Sequence, residues 1–170
     1  MITLGIDPGT ALLGFGVIAS NGEPHVLDYG AVVTSAHQPM PQRLAELFDA
    51  VTGLLERHQP DVVAIEQLFF ARNVTTAIAV GQARGVVLLA AARAGTPVVE
   101  YSPSEVKHAV VGYGKAAKAQ MQEMVRILLG LDRVPQPDDA ADALAVALCH
   151  AQRLGFAERV SAASLDSSNR

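Results

Sequence analysis

The chain has 170 residues, half of them apolar and 18% charged, with 14 Gly, 9 Pro, one Cys and no Trp. That length closes a single core, which buries roughly 70% of the unfolded surface. The composition excludes a disordered polymer, and the lone Cys149 excludes an internal disulfide framework and reads as an inert core thiol. A formal net charge of -4 weighs mildly against a polyanionic partner, but the average hides a split. Arg72, Arg84, Arg93, Lys107, Lys115, Lys118 and Arg126 face only Glu100, Glu105 and Glu123 within one stretch, which is therefore +4 inside a remainder of -8. Met1–Gly9 carries no basic stretch before an apolar one, and no apolar run nears the ~18 residues of a spanning helix, so a cytosolic product without a membrane partner is expected.

A first strand reads from Ile2 to Ile6 and is broken by Asp7-Pro8-Gly9-Thr10, where Pro sets φ and Gly is suited to a positive φ. Gly14–Ala19 and Val26–Thr34 follow as strands across the turn cluster Ser20–Pro24, giving an antiparallel meander of three. After Pro39 and Pro41 the period changes. Leu44, Leu47, Phe48, Val51, Leu54 and Leu55 form the stripe of an amphipathic helix ending near His58. Asp61–Glu66 is a short, continuously apolar strand of the kind covered on both faces.

An Ala-rich helix is expected over Asn73–Ala94, stopped by Gly95-Thr96-Pro97, and then a fifth strand over Val98–Tyr101. Helices over about Ser104–Val110 and Ala117–Gly130 flank the loop Gly112-Tyr113-Gly114-Lys115. Pro135 and Pro137 precede a last helix, about Asp138–Leu154. The expected fold is one α/β domain over residues 1–155, a five-stranded mixed sheet with its first three strands antiparallel and helices on both faces. Residues 156–170, rich in Ser, are expected to form a disordered tail.

Two carboxylates, Asp7 and Glu66, each follow directly on a short apolar strand, where burial demands a proton, a partner or a cation. If those strands run parallel, both acids stand at the carboxyl edge of the sheet, where open α/β sheets bind ligands. Asp138, Asp139 and Asp142 add acids three and four apart on one face of the last helix, and spacing alone does not choose among them. Carboxylate oxygen without His or Cys at comparable spacing suits Mg²⁺ or Mn²⁺. Two such ions would clamp the oxygens of an in-line phosphoryl displacement.

The segments I-T-L-G-I-D-P-G-T, A-I-E-Q-L-F-F-A-R-N from Ala64, G-Q-A-R-G-V from Gly81 and D-A-A-D-A-L-A-V-A from Asp139 stand in the order and spacing of one known family. Together, over about residues 1–155, the chain resembles the RuvC Holliday junction resolvases. The resemblance implies a ribonuclease H-like fold and a homodimeric crossover junction endodeoxyribonuclease that nicks two symmetry-related strands of four-way junction DNA. It puts the family's acids, both catalytic and metal-binding, at Asp7, Glu66, Asp139 and Asp142, with two Mg²⁺ or Mn²⁺ per subunit expected, and its basic residues at Lys107 and Lys118. It also implies branch-migration partners of the RuvA/RuvB type.

Phe69, Phe70 and Arg72, just beyond the acid-bearing strand, and Lys115, beside Lys107 and Lys118 in a Gly-flanked loop, complete the candidate DNA contacts; the resemblance selects Phe69 as the ring that stacks on an opened base. Gly81 and Gly85, one turn apart, flatten a helix face for close approach of another helix. Competing readings are an actin-like ATPase, a junction-binding protein without catalysis, and a ribonuclease H acting on RNA-DNA hybrids. The first usually needs two domains and a longer chain.

Overall fold

The computed structural model describes residues 1–67 and 74–167, with side chains from 77 to 155 in the second stretch. Its strands are β1 (Ile2–Asp7), β2 (Leu12–Ala19), β3 (His25–Val33), β4 (Val62–Glu66) and β5 (Val98–Tyr101). The helices are α1 (Met40–His58), α2 (Val74–Ala94), α3 (Pro103–Val111), α4 (Lys118–Leu128) and α5 (Asp138–Ser167). The sheet order is β3-β2-β1-β4-β5, with β1, β2 and β3 antiparallel and β4 and β5 parallel to β1. The expected meander and parallel extension are both present.

Alternation along the strands sorts the chain into two layers of helices. Leu4, Ile6, Leu13, Val17, Val63 and Ile65 face α1 and α2, where they meet Leu47, Val51, Ala83, Val87 and Ala91. On the opposite face Ile18 and Ala64 meet Val106 and Val110 of α3, Met121 and Val125 of α4, and Leu144 and Leu148 of α5. Ser102 caps α3 through a reciprocal pair with Glu105, and Gly112 ends that helix at φ 82°.

One close packing decides where the site lies. Gly5, Gly14 and Gly16 line the α5 face of β1 and β2, and a side chain on any of them would strike α5: the Ala143 carbonyl at Gly5, the Asp139 carbonyl at Gly14, and Leu144 at Gly16. At Gly5 and Gly14 the sheet therefore meets the backbone of α5 directly, while Gly16 makes room for the Leu144 side chain, and the first turn of α5 is drawn down onto β2.

Three expectations are corrected. Gly9 does not adopt a positive φ; glycine is needed there because a Cβ would collide with the Leu12 carbonyl. The last helix does not stop near Leu154 but is assigned through Ser167, since Phe156–Ser167 holds no Pro or Gly to break it. Finally, the window Ala77–Ala94 of α2 is long and apolar enough to cross a membrane by length and composition, although Arg84 and Arg93 interrupt it in sequence; 28% of it is buried. Its Ala83, Val87, Ala90 and Ala91 pack in the core.

Candidate active site

Strand register assembles the acids. Asp7 ends β1 opposite Gly14 of β2, and β1 runs beside β4 with Ile6 level with Ile65. One step further sets Asp7 next to Glu66 at the interstrand spacing of about 4.8 Å. Asp7 continues the Gly5 row and Glu66 the Ala64 row, so both carboxylates emerge on the α5 side. Asp139 lies over Gly14, the partner of Asp7, because Gly14 has no side chain to hold it off. Asp142 follows on the same helix and lines a cavity of about 280 Å³ together with Glu66, Lys107 and Lys118.

The electrostatics record this convergence. Burial, and then the charges of Asp142, Asp139 and Glu66, push the Asp7 carboxyl up to about 7, against a smaller opposing pull from Lys118. Glu66 is raised by burial and by Asp142, and Lys107 opposes the shift. Asp142 is raised by burial while Lys118 holds it down. Three partly buried acids, each pushed toward protonation by its surroundings, form a site that gains from a cation.

Lys118 Nζ lies 3.2 Å from both Asp138 Oδ2 and Asp142 Oδ2. Burial depresses the Lys118 ammonium pKa, but the hydrogen bonds to Asp138 and Asp142 outweigh it and leave the pKa raised. Among the described residues no three acids or His and Cys groups are drawn into one coordination shell. The donor set is nonetheless carboxylate oxygen on two strand ends and one helix face, which fits hard divalent cations. Asp7, Glu66, Asp139 and Asp142 are the residues that would hold them.

Arg84, which the sequence reading counted only as charge and as part of G-Q-A-R-G-V, reaches this edge from α2. Its Nη1 donates to the Glu66 carbonyl at 3.0 Å and its Nη2 to Glu100 Oε1 at 2.5 Å, and its side chain is only 12% exposed. An Arg flanked by Ala83 and Gly85 on a helix packed over the sheet was the available signal.

The profile for crossover junction endodeoxyribonuclease RuvC matches residues 3–150 of the chain. The chain belongs to the RuvC family. Curated RuvC crossover junction endodeoxyribonucleases from Thermomicrobium roseum and Desulfitobacterium hafniense are 62% and 55% identical to it. Those matches cover 89% and 96% of this chain and 93% and 99% of the relatives. The Thermus thermophilus RuvC solved with Holliday junction substrate superposes with a TM-score of 0.86 at 44% identity, over 91% of this chain and 96% of that one. The ribonuclease H-like RuvC fold expected from the motifs is thus present, with the same mixed five-stranded sheet.

Among the candidate DNA contacts, Lys107 and Lys118 share the cavity with Glu66 and Asp142. Lys115 is exposed in the loop between α3 and α4 and is not part of the cavity wall. Phe69, Phe70 and Arg72 lie outside the described residues. Asp138, left open by spacing, shares Lys118 with Asp142 and is not among the acids acting on Asp7.

Proposed function

We propose that this RuvC-family chain resolves four-way DNA junctions as a homodimer, each subunit hydrolysing one phosphodiester with divalent cations held by Asp7, Glu66, Asp139 and Asp142. The observation that carries the reading is the gathering of strand-borne and helix-borne carboxylates at one sheet edge, with Asp7 raised to about 7 by burial and by its acidic neighbours. Bound there, hard cations supply an activated water and a clamp on the attacking and leaving oxygens.

The chain's own groups do the rest. Asp7, next to Glu66 in the sheet and under the charges of Asp142 and Asp139, would hold the cations together with these three acids. Lys118 offsets charge that develops on the phosphate, and Lys107, which lines the same cavity, draws the DNA backbone in. Lys115, Arg72 and the rings Phe69 and Phe70 extend this surface, with Phe69 stacking on a base opened at the crossover.

Pairing of two subunits is supported by α2. Ile78, Gln82, Gly85 and Leu89 repeat at helical spacing on its exposed side, with Ile78 58% and Leu89 54% exposed, and nothing stands within 4 Å of where a Gly85 side chain would begin. A two-fold pair presents two active sites to a junction of matching symmetry. Loading by branch-migration proteins of the RuvA/RuvB type and a cytoplasmic location belong to the same reading and are supported by family membership.

The test uses Asp7→Asn on a synthetic mobile four-way junction. The variant should bind the junction in a gel shift within about twofold of the parent and lose Mg²⁺- and Mn²⁺-dependent nicking by at least roughly 100-fold. Unchanged nicking would remove Asp7 from the metal site, and cleavage of an RNA-DNA hybrid in preference to the junction would replace the substrate.

A further inference from the structure

Glu66 is the last residue of β4, and its backbone is not secured from the sheet side alone. Just beyond it Gln67 N donates to the Tyr101 carbonyl at 2.8 Å, which continues the pairing with β5. From the other layer the Arg84 guanidinium closes on the same residue, Nη1 to the Glu66 carbonyl and Nη2 to the carboxylate of Glu100, one residue before Tyr101 on β5. Glu100 is level with Ile65 in the parallel ladder, so the two contacts of one planar group bridge the ends of neighbouring strands. A guanidinium has the fixed fork this requires, whereas an ammonium has a single donor centre.

The position of Arg84 along α2 adds a second feature. Ala83 is fully buried against the sheet and Gly85 is on the open side with Ile78 and Leu89, so Arg84 sits between the anchored face of the helix and the exposed one. Its long side chain runs from α2 to the carboxyl edge of the sheet, where Glu66 enters the metal site. Neither Asp7 nor Asp142 receives a contact from α2 among the described side-chain hydrogen bonds and ion pairs.

We propose that Arg84 is a positioning residue for the metal site: by tying the Glu66 carbonyl to α2, it sets the direction in which the Glu66 carboxylate meets a cation. The proposal rests on the metal site described above. Loss of this tether leaves Glu66 in the sheet but free to reorient at its end, so the cation is held less tightly. Junction binding, which draws on other residues, is untouched.

The test measures Mn²⁺ binding to the full-length protein without DNA, from the free-ion electron paramagnetic resonance signal. The set comprises the parent, Arg84→Lys, Arg84→Met, Glu100→Gln and Asp7→Asn, with thermal unfolding in EDTA and metal-free junction gel shifts on each. Arg84→Lys keeps the charge and guards against a Met variant that fails to fold. We expect both Arg84 variants to weaken Mn²⁺ binding by roughly 10-fold or more, the usual consequence of removing a group that orients a metal ligand. Metal-free junction binding stays within about twofold, and excess Mn²⁺ restores cleavage by Arg84→Lys. Glu100→Gln, which leaves the Glu66 contact in place, stays within about twofold in Mn²⁺ binding.

Mn²⁺ binding by Arg84→Lys equal to the parent overturns the positioning role, as does an equally large loss in Glu100→Gln, which would assign the effect to β5. If Asp7→Asn binds Mn²⁺ as the parent does, the metal site itself is wrong, and that failure is distinct from the first.

Discussion

Replacing Asp7 by Asn should make the metal-free protein more stable while destroying its chemistry. Asp7 titrates near 7 in the folded chain, where the ordinary value is 3.8. An acid whose folded pKa is raised binds its proton more tightly in the folded state, so stability is greatest below about pH 4. It declines between about pH 4 and 7 and stays at the lower level above that. The gap corresponds to about 4 kcal/mol of penalty at pH 8, at about 1.4 kcal/mol per pH decade.

Asn carries no charge and avoids that penalty, but its amide enters a partly buried site without a matched partner, which costs about 1–2 kcal/mol. A net gain of about 2–3 kcal/mol raises Tm by roughly 4–12 °C for a chain of this size. The assay is calorimetric unfolding of parent and variant in EDTA at pH 8 and at pH 5. The gap should nearly close at pH 5, where most of the parent's penalty is gone. Added Mg²⁺ or Mn²⁺ should raise the Tm of the parent more than that of the variant, because a ligand stabilises only the state that binds it. A variant less stable than its parent at pH 8, or a gap that does not change with pH, would refute a desolvated and repelled carboxylate at this position.

Three other perturbations probe different parts of the structure. Gly14→Ala pushes a methyl group into the Asp139 carbonyl and should cost about 2–4 kcal/mol in calorimetry while reducing nicking, because the first turn of α5 must lift from β2. Lys118→Met removes the cation that holds Asp142 down, so nicking should fall by about 100-fold or more, with the pH of half-maximal cleavage moving upward in a rate profile. Leu89→Glu places a charge on the open face of α2; sedimentation should show a dimer converted to monomer, with the monomer's Tm within a few degrees of the parent.

The strands and their ends were legible in the sequence because each ran apolar up to a polar stop, and Asp7 and Glu66 stood out as carboxylates that such runs do not tolerate unpartnered. The amphipathic stripe of α1 and the Pro and Gly stops of the other helices were equally plain. The glycines of β1 and β2 were not legible as a helix seat. Glycine in a strand signals a bulge, a bend or a close approach without saying which, and the partner that decides it lies more than 120 residues away at Ala143 and Asp139. Asp138 and Asp139 are neighbours with the same chemistry, and only the fold separates them, turning one to Lys118 and setting the other over Gly14. The reach of Arg84 to the Glu66 carbonyl is a contact with backbone, which no side-chain pattern announces.

The direct seating of α5 on Gly5, Gly14 and Gly16 also bears on how the protein tolerates change. At Gly5 and Gly14 the approach of α5 to the strands is set by polypeptide skeletons in contact, and only at Gly16 does a side chain, that of Leu144, come between. Exchanges among Leu, Ile, Val and Met elsewhere in the two cores can shift α1, α3 or α4 by fractions of an ångström while this gap stays the same. The seat of α5 is thereby insulated from drift in the hydrophobic interior, because glycine leaves no bulk at Gly5 and Gly14 that an exchange elsewhere could displace.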